Sequence, residues 1–187
     1  MTETASLGPA DLDTIGAAIP SLIGDIRSDH AGETGAVMIY RGILAGSRDR
    51  AVRRFAQAHL ATEQRHLALL DALLAPGQRS ALLPIWRLAG FLTGFLPALA
   101  GSRAVYATID AVETFVDRHY EEQIVKLPAH GPAGALRATL VACQEDEVAH
   151  RDEARAAQPV PAGALLRAWT WAVGSGSKAA VAAARRI

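Results

Sequence analysis

Glu63-Gln64-Arg65-His66 and Glu147-Val148-Ala149-His150 repeat one short pattern, Glu-x-x-His, in two separate parts of the chain. Three residues turn an α-helix by about 300°, so each carboxylate and its imidazole project from one face, roughly one turn apart. A single such pair is common on solvated helix surfaces. Two pairs carry more, because each follows a further glutamate at a similar interval: Glu33 lies 30 residues before Glu63, and Glu113 lies 34 residues before Glu147. Around those glutamates Ala31-Gly32-Glu33-Thr34 parallels Ala111-Val112-Glu113-Thr114, and a tyrosine follows seven residues later in both, Tyr40 and Tyr120. Seven residues is about two turns, so each tyrosine shares the face of its own glutamate. The two halves read as an internal repeat.

The intervening sequence is rich in Ala, Leu and Arg and shows no alternating apolar and polar segment of strand length, which makes the fold all-α. Turn signals at Ile19-Pro20-Ser21, Gly46-Ser47-Arg48-Asp49, Ala75-Pro76-Gly77, Ala100-Gly101-Ser102, Leu127-Pro128-Ala129-His130-Gly131-Pro132 and Gln158-Pro159-Val160-Pro161 divide it. They leave four long helices near 21–46, 49–75, 102–127 and 133–157. Short loops make the members of each pair antiparallel, and one long connection separates the pairs, as in a four-helix bundle with a crossover. Segment 81–101 of that crossover carries a single charge, Arg87, among Leu82, Leu83, Ile85, Trp86, Leu88, Phe91, Leu92, Phe95, Leu96 and Leu99. Spanning a bilayer takes about 20 apolar residues. Pro84 and Pro97 are expected to leave a helical run of roughly a dozen, which suits a membrane-interface segment. Burial against the bundle or a second copy of the chain is the alternative. Leu165 to Ile187, with Trp169 and Trp171 near one end and Arg185-Arg186 at the other, is expected to form an additional C-terminal helix, its apolar side turned either to a membrane or to the bundle. Residues 1–20 form a flexible N-terminal extension, and 21–187 one domain.

Half of the 187 residues are apolar and 20% are charged, and 19 Lys and Arg balance 19 Asp and Glu, which argues against a disordered tail and against a nucleic-acid partner. The single cysteine, Cys143, cannot form an internal disulfide or build a thiolate metal site, so any metal must be held by His, Asp and Glu. Met1 to Gly8 lack the cationic and apolar pattern of an export or import signal, and synthesis in the cytoplasm without export is expected.

Four helices thus offer Glu33, then Glu63 with His66, then Glu113, then Glu147 with His150. That is the ligand set of carboxylate-bridged di-iron and di-manganese proteins. Four ionised glutamates inside a bundle would repel and take up protons, whereas two divalent cations cancel their charge. Hard carboxylates with one imidazole per metal suit iron or manganese. Asp146, beside Glu147, points toward a neighbouring helix, where it would hold the free N–H of His66; Asp110, one turn before Glu113, is the other candidate for orienting a ligand. His119 and Tyr120 adjoin the site as candidates for substrate or electron-transfer roles. Tyr40, His59 and Cys143 read as structural, and His30 as a packing residue near the first bundle helix.

Asp29-His30-Ala31-Gly32-Glu33, Glu63-Gln64-Arg65-His66, Ala111-Val112-Glu113, His119-Tyr120 with Gln123-Ile124, and Asp146-Glu147-Val148-Ala149-His150 resemble the demethoxyubiquinone hydroxylase family of ubiquinone biosynthesis. The apolar crossover, with Trp86-Arg87, Ala89-Gly90-Phe91 and Gly94, is similar as well, and the resemblance runs from about Ser21 to Ile187. It implies a ferritin-like di-iron monooxygenase that sits on the membrane and uses O2 to hydroxylate a polyprenylated quinone ring. Glu33, Glu63, His66, Glu113, Glu147 and His150 would then hold two iron ions. A nicotinamide reductant is implied too, although no Gly-rich dinucleotide fingerprint is visible. The expected partners are the polyprenyl quinone, O2 and membrane lipids in peripheral attachment, with a second copy of the chain or an accessory protein of ubiquinone biosynthesis as further candidates. The expected location is the cytoplasmic side of a bacterial inner membrane. Two other readings use part of the same features: a ferritin-like iron-oxidising or iron-storage protein, and a non-enzymatic, membrane-associated helical scaffold.

Overall fold

A computed structural model describes residues 7–158 and 163–187. Among them there are seven α-helices and no strand: α1 (Pro9–Ala18), α2 (Leu22–Gly46), α3 (Arg50–Leu73), α4 (Leu83–Ala100), α5 (Ser102–Ile124), α6 (Gly131–Ala156) and α7 (Ala164–Ala184). The four long helices anticipated from turn signals are α2, α3, α5 and α6. The expected turn at Pro159–Pro161 lies outside the described residues.

The α2–α3 hairpin is closed by local polar groups. Asp49 caps α3 by accepting from the backbone N–H groups of Ala51 and Val52 at 2.7 and 3.2 Å. Arg53 reaches back to the carbonyls of Leu44 and Ser47 and ties the two helix ends together. At the other junction, where α4 turns into α5, Gly101 has φ 108°, a conformation open to glycine at little cost.

Two apolar layers fill the bundle. One gathers Ile26, Leu70, Tyr120, Ile124, Leu136, Leu140 and Cys143, and the other Tyr40, Ile43, Val52, Phe55, Val105, Ile109 and Ala154. Each therefore receives one of the two repeat tyrosines, and the polar cluster described below lies among the same four helices.

Of the N-terminal extension expected over residues 1–20, 1–6 lie outside the described residues, and Pro9–Ala18 forms a short helix packed on the bundle. Gly8 N–H donates to Asp11 Oδ2 at 2.9 Å, Pro9 occupies the first turn, and Leu12 and Ile15 are buried in the first apolar layer beside Leu22 and Leu70. The physical reason is the spacing of Leu12, Ile15 and Ile19, which puts one apolar stripe on a short helix.

The crossover also differs from expectation, since α4 is a continuous helix of 18 residues. Pro84 falls in the first turn, where its missing N–H has no intrahelical partner to lose, and Pro97 falls in the last. α4 lies along α2 at backbone contact. A Cβ at Gly90 would overlap the Gly35 carbonyl, one at Gly94 the Ile39 carbonyl, and one at Gly42 the Phe91 carbonyl. With Gly90, Gly94, Pro97 and Ala98 buried against the bundle, the opposite side exposes Ile85, Leu88, Leu92, Leu96 and Leu99, each three or four residues from the next. Among the described residues α4 is the one helix long and apolar enough to cross a membrane by length and composition. α7 packs on α5 and α2, and Trp169 Nε1 donates to Thr108 Oγ1 at 2.8 Å.

Candidate metal centre

The helical phase of the repeat brings all six motif residues to one place. Glu33 comes from α2, Glu63 and His66 from α3, Glu113 from α5, and Glu147 and His150 from α6, and every one is buried. They form two overlapping groups whose donor atoms lie within 4.8 Å of one another: Glu33, Glu63, His66 and Glu147, and Glu63, Glu113, Glu147 and His150. Glu63 and Glu147 belong to both. His66 Nδ1 is 2.9 Å from Glu147 Oε1 and 3.9 Å from Glu33 Oε2. His150 Nδ1 is 3.1 Å from Glu63 Oε1 and 3.2 Å from Glu147 Oε2. Close as they are, both oxygens of Glu63, both of Glu147 and the Nδ1 atoms of both histidines lack an aligned hydrogen-bond partner. Lone pairs converging in this way suit a shared cation, because an unpaired buried acceptor otherwise carries a desolvation cost.

Electrostatics agrees with that reading. Burial, followed by the charge of Glu147, pushes the Glu33 carboxyl up to about 7. Burial and then Glu147 and Glu33 push Glu63 and Glu113 well above the usual carboxylate range. Burial acts in the same direction on Glu147, but the His150 and His66 imidazoles, 3.2 and 2.9 Å from its oxygens, hold it below its ordinary value. Without cations the cluster keeps protons that two divalent ions would displace.

The surrounding residues fix the six side chains from outside. Asp146 Oδ2 lies 3.1 Å from His66 Nε2, so the carboxylate holds that N–H and turns Nδ1 inward. Asp110 has no such position: its Oδ1 pairs with Arg155 Nη2 at 2.7 Å, on the outer side of the α5–α6 contact. His59 instead packs edge-on against His150, with ring centroids 3.9 Å apart, and its Nε2 meets Glu153 Oε2 at 3.0 Å. Sequence reasoning gave His59 only a packing role, although its position one turn before Glu63 on the same face is a usable signal. The tyrosines are exchanged between halves of the repeat. Tyr120 donates to Glu33 Oε1 at 2.6 Å, and Tyr40 donates to Glu113 Oε1 at 3.2 Å.

A cavity of about 390 Å³ opens onto this cluster. Glu33, Glu63, Glu113 and Glu147 line its inner end, and Ile39, Trp86, Val112, Phe115, Trp169 and Val173 are among its walls, so α4 and α7 close it from outside. His119 also lines it, stacked on Phe115, with Nε2 2.9 Å from Asp29 Oδ1 and 3.1 Å from Ser28 Oγ. Asp29, a member of the Asp29 to Glu33 signature, is thus the partner that holds His119. His66 and His150 do not line the cavity, so the open side of the cluster is made of carboxylates.

The family model described as ubiquinone biosynthesis protein COQ7 matches residues 21–184. The chain belongs to that family. Among curated relatives, the 3-demethoxyubiquinol 3-hydroxylase of Rhodospirillum rubrum is 37% identical over 167 residues, 87% of this chain and 76% of that protein. The Caenorhabditis elegans protein named NADPH-dependent 3-demethoxyubiquinone 3-hydroxylase, mitochondrial, is 31% identical over 168 residues, covering 87% of this chain and 88% of its own length. The 3-demethoxyubiquinol 3-hydroxylase of Cupriavidus necator is 32% identical over 175 residues, 89% of this chain and 84% of that relative. The family resemblance carried by Asp29 to Glu33 and the two Glu-x-x-His motifs is thereby shown, and with it the ferritin-like helical bundle.

Proposed function

We propose that this chain is an O2-dependent hydroxylase acting on the ring of a polyprenylated demethoxyubiquinone-type substrate, with two iron ions held by Glu33, Glu63, His66, Glu113, Glu147 and His150. The observation that carries the reading is the opening of the carboxylate side of the cluster into an apolar cavity, since a metal site enclosed for storage has no need of such a chamber. The relatives' names supply the substrate class and ring hydroxylation. The chemistry such an iron pair supplies when bound is activation of O2, with one oxygen atom going to the ring and the other to water.

The protein's own residues do the positioning. Asp146 keeps the Nε2–H of His66 occupied and leaves Nδ1 for the metal side. Tyr120 and Tyr40 steady Glu33 and Glu113, the two glutamates that belong to one group each. Because the Tyr120 hydroxyl is committed to Glu33, its role is positioning. His119, anchored by Asp29 at the cavity wall, is the polar group placed to orient the oxygen substituents of a ring. Trp86, Phe115 and Trp169 exclude water around it. Electrons come from a nicotinamide donor, in keeping with the NADPH dependence in the C. elegans relative's name.

Access for a water-insoluble substrate is supplied by peripheral attachment to the inner membrane through the exposed stripe of α4, from Ile85 to Leu99, which lies on the helix that also closes the cavity. The deciding experiment gives iron-loaded protein a short-chain demethoxyquinone, labelled O2 and a reductant. Label in the ring supports the reading. Label only in water, with reduced iron and bound quinone confirmed, rejects it.

A further inference from the structure

A second concavity, of about 570 Å³, opens between α2, α3 and the beginning of α4, away from the carboxylate cluster. Its charge is one-sided. Arg41, Arg79 and Arg87 line it with a single acidic residue, Asp71. That carboxylate is already engaged, because its Oδ1 meets Arg79 Nη1 at 2.9 Å and His30 Nε2 at 3.0 Å. Arg79 is spent on the same residue, since its Nη2 donates to the Asp71 carbonyl at 3.1 Å and its Nε is buried, so the pair closes the floor of the pocket and leaves Arg41 and Arg87 as its open charges. Arg41 is exposed and reaches Met38 Sδ at 3.7 Å, a weak acceptor. Arg87 is exposed, and among the described residues it has no hydrogen bond or ion pair.

In a chain whose charges balance overall, this is a local excess of guanidinium groups, and the fork of donors on each suits a phosphate oxyanion. The neighbouring surface narrows the choice of anion. Arg87 is the one charge between Ala81 and Gly101, and the next residue, Leu88, begins about 100° around the helix on the exposed apolar stripe with Leu92 and Leu96. Leu83 and Leu67 continue the apolar lining into the pocket itself. An oxyanion site that runs into an exposed apolar face matches an amphiphile.

We propose that this pocket binds the phosphate of an anionic membrane phospholipid, with Arg41 and Arg87 as its ligands, the Arg79–Asp71 pair as its floor and the acyl chains lying along α4. The site rests on the peripheral attachment proposed above and adds headgroup selectivity to it. Seating a headgroup at the start of α4 fixes the depth and direction of that helix in the interface.

The test measures partition of the full chain onto vesicles of phosphatidylcholine alone and of phosphatidylcholine with phosphatidylglycerol. The variants are Arg41→Ala/Arg87→Ala and, on α6 outside the pocket, Arg137→Ala. The wild type binds the phosphatidylglycerol vesicles more tightly, the double variant loses roughly tenfold of that gain, and Arg137→Ala stays within about twofold. Circular dichroism confirms that the variants are folded. Binding to phosphatidylcholine alone is carried by the α4 stripe, so its absence in the wild type counts against peripheral attachment and leaves the anionic arm readable. Equal losses in Arg137→Ala and the double variant, or no loss in the double variant, overturn the pocket. Titration with glycerol 3-phosphate distinguishes the source: saturable binding of the free ester together with unchanged vesicle binding by the double variant overturns the lipid assignment.

Discussion

The hydroxyl of Tyr120, on α5, donates to Glu33, on α2, at 2.6 Å, and the corresponding pair in the other half, Tyr40 and Glu113, is 3.2 Å apart. The tyrosines of the repeat therefore serve each other's glutamates across the bundle. Replacing Tyr120 by Phe leaves a buried carboxylate oxygen without its donor, at a cost of about 1–3 kcal/mol. Tyr40→Phe, which removes the longer bond, is expected to cost less. Denaturant unfolding of the two variants checks this, and a larger loss for Tyr40→Phe would contradict it.

Glu63 and Glu147 occur in both donor groups, whereas Glu33 and Glu113 occur in one each. Glu147→Ala should abolish stoichiometric metal loading, while Glu113→Ala should retain one metal per chain of the two that the groups accommodate. Metal content after anaerobic loading with Fe(II) decides, and two metals per chain in Glu147→Ala would refute the ligand assignment.

Burial lowers the His66 imidazole, but the close Glu147 carboxylate, the charge of Glu33 and the contact with Asp146 prevail and raise it from 6.5 to about 9. In the metal-free protein the native state therefore keeps a proton that the unfolded chain releases between those values, and stability falls as pH rises through them. The loss is on the order of 2–3 kcal/mol between pH 6.5 and 9. Glu33, raised from 4.5 to about 7, adds a loss in the same direction at lower pH. Metal loading removes these protons, so the loaded protein should lack the fall. Unfolding midpoints at pH 6.5 and 9, with and without metal, measure it; a metal-free protein more stable at pH 9 would have the sign wrong.

Leu92 and Leu96 lie on the exposed stripe of α4 and make no part of the donor groups. Glutamate at both positions should release the chain from phosphatidylcholine vesicles while metal content stays at the wild-type level. Retention on vesicles, or resistance to carbonate extraction in the wild type, would argue against peripheral attachment by this face.

Gly94 lies against the Ile39 carbonyl, whereas Gly174 on α7 has open space where a Cβ would be. Gly94→Ala is expected to destabilise by about 1–3 kcal/mol as α4 is pushed off α2. Gly174→Ala should stabilise by up to about 1 kcal/mol, from helix propensity alone. Thermal unfolding of the pair gives both signs, and a neutral Gly94→Ala would show that the α2–α4 contact is loose.

The sequence by itself determined the four bundle helices, their antiparallel pairing and the six residues that meet, because helical phase is a local property: Glu63 with His66 and Glu147 with His150 are set on one face by three-residue spacing alone. The same phase turns Asp146 about 100° from Glu147, toward a neighbouring helix. Only the tertiary structure decided which residues face each other from different helices. Tyr120 shares the face of Glu113 yet serves Glu33, Asp110, a candidate for orienting a ligand one turn before Glu113, pairs with Arg155, and His59 stands against His150. Such contacts depend on the rotation and offset of packed helices, which no single helix encodes. Leu12 and Ile15 make the point at the chain's start: their stripe was readable, but burial required Leu22 and Leu70 to be brought to it. The continuity of α4 was likewise decided in packing, where Gly90 and Gly94 let it lie at backbone contact along α2. Arg87, the lone charge of the crossover, and Arg41, on another helix, come to one pocket only through that contact.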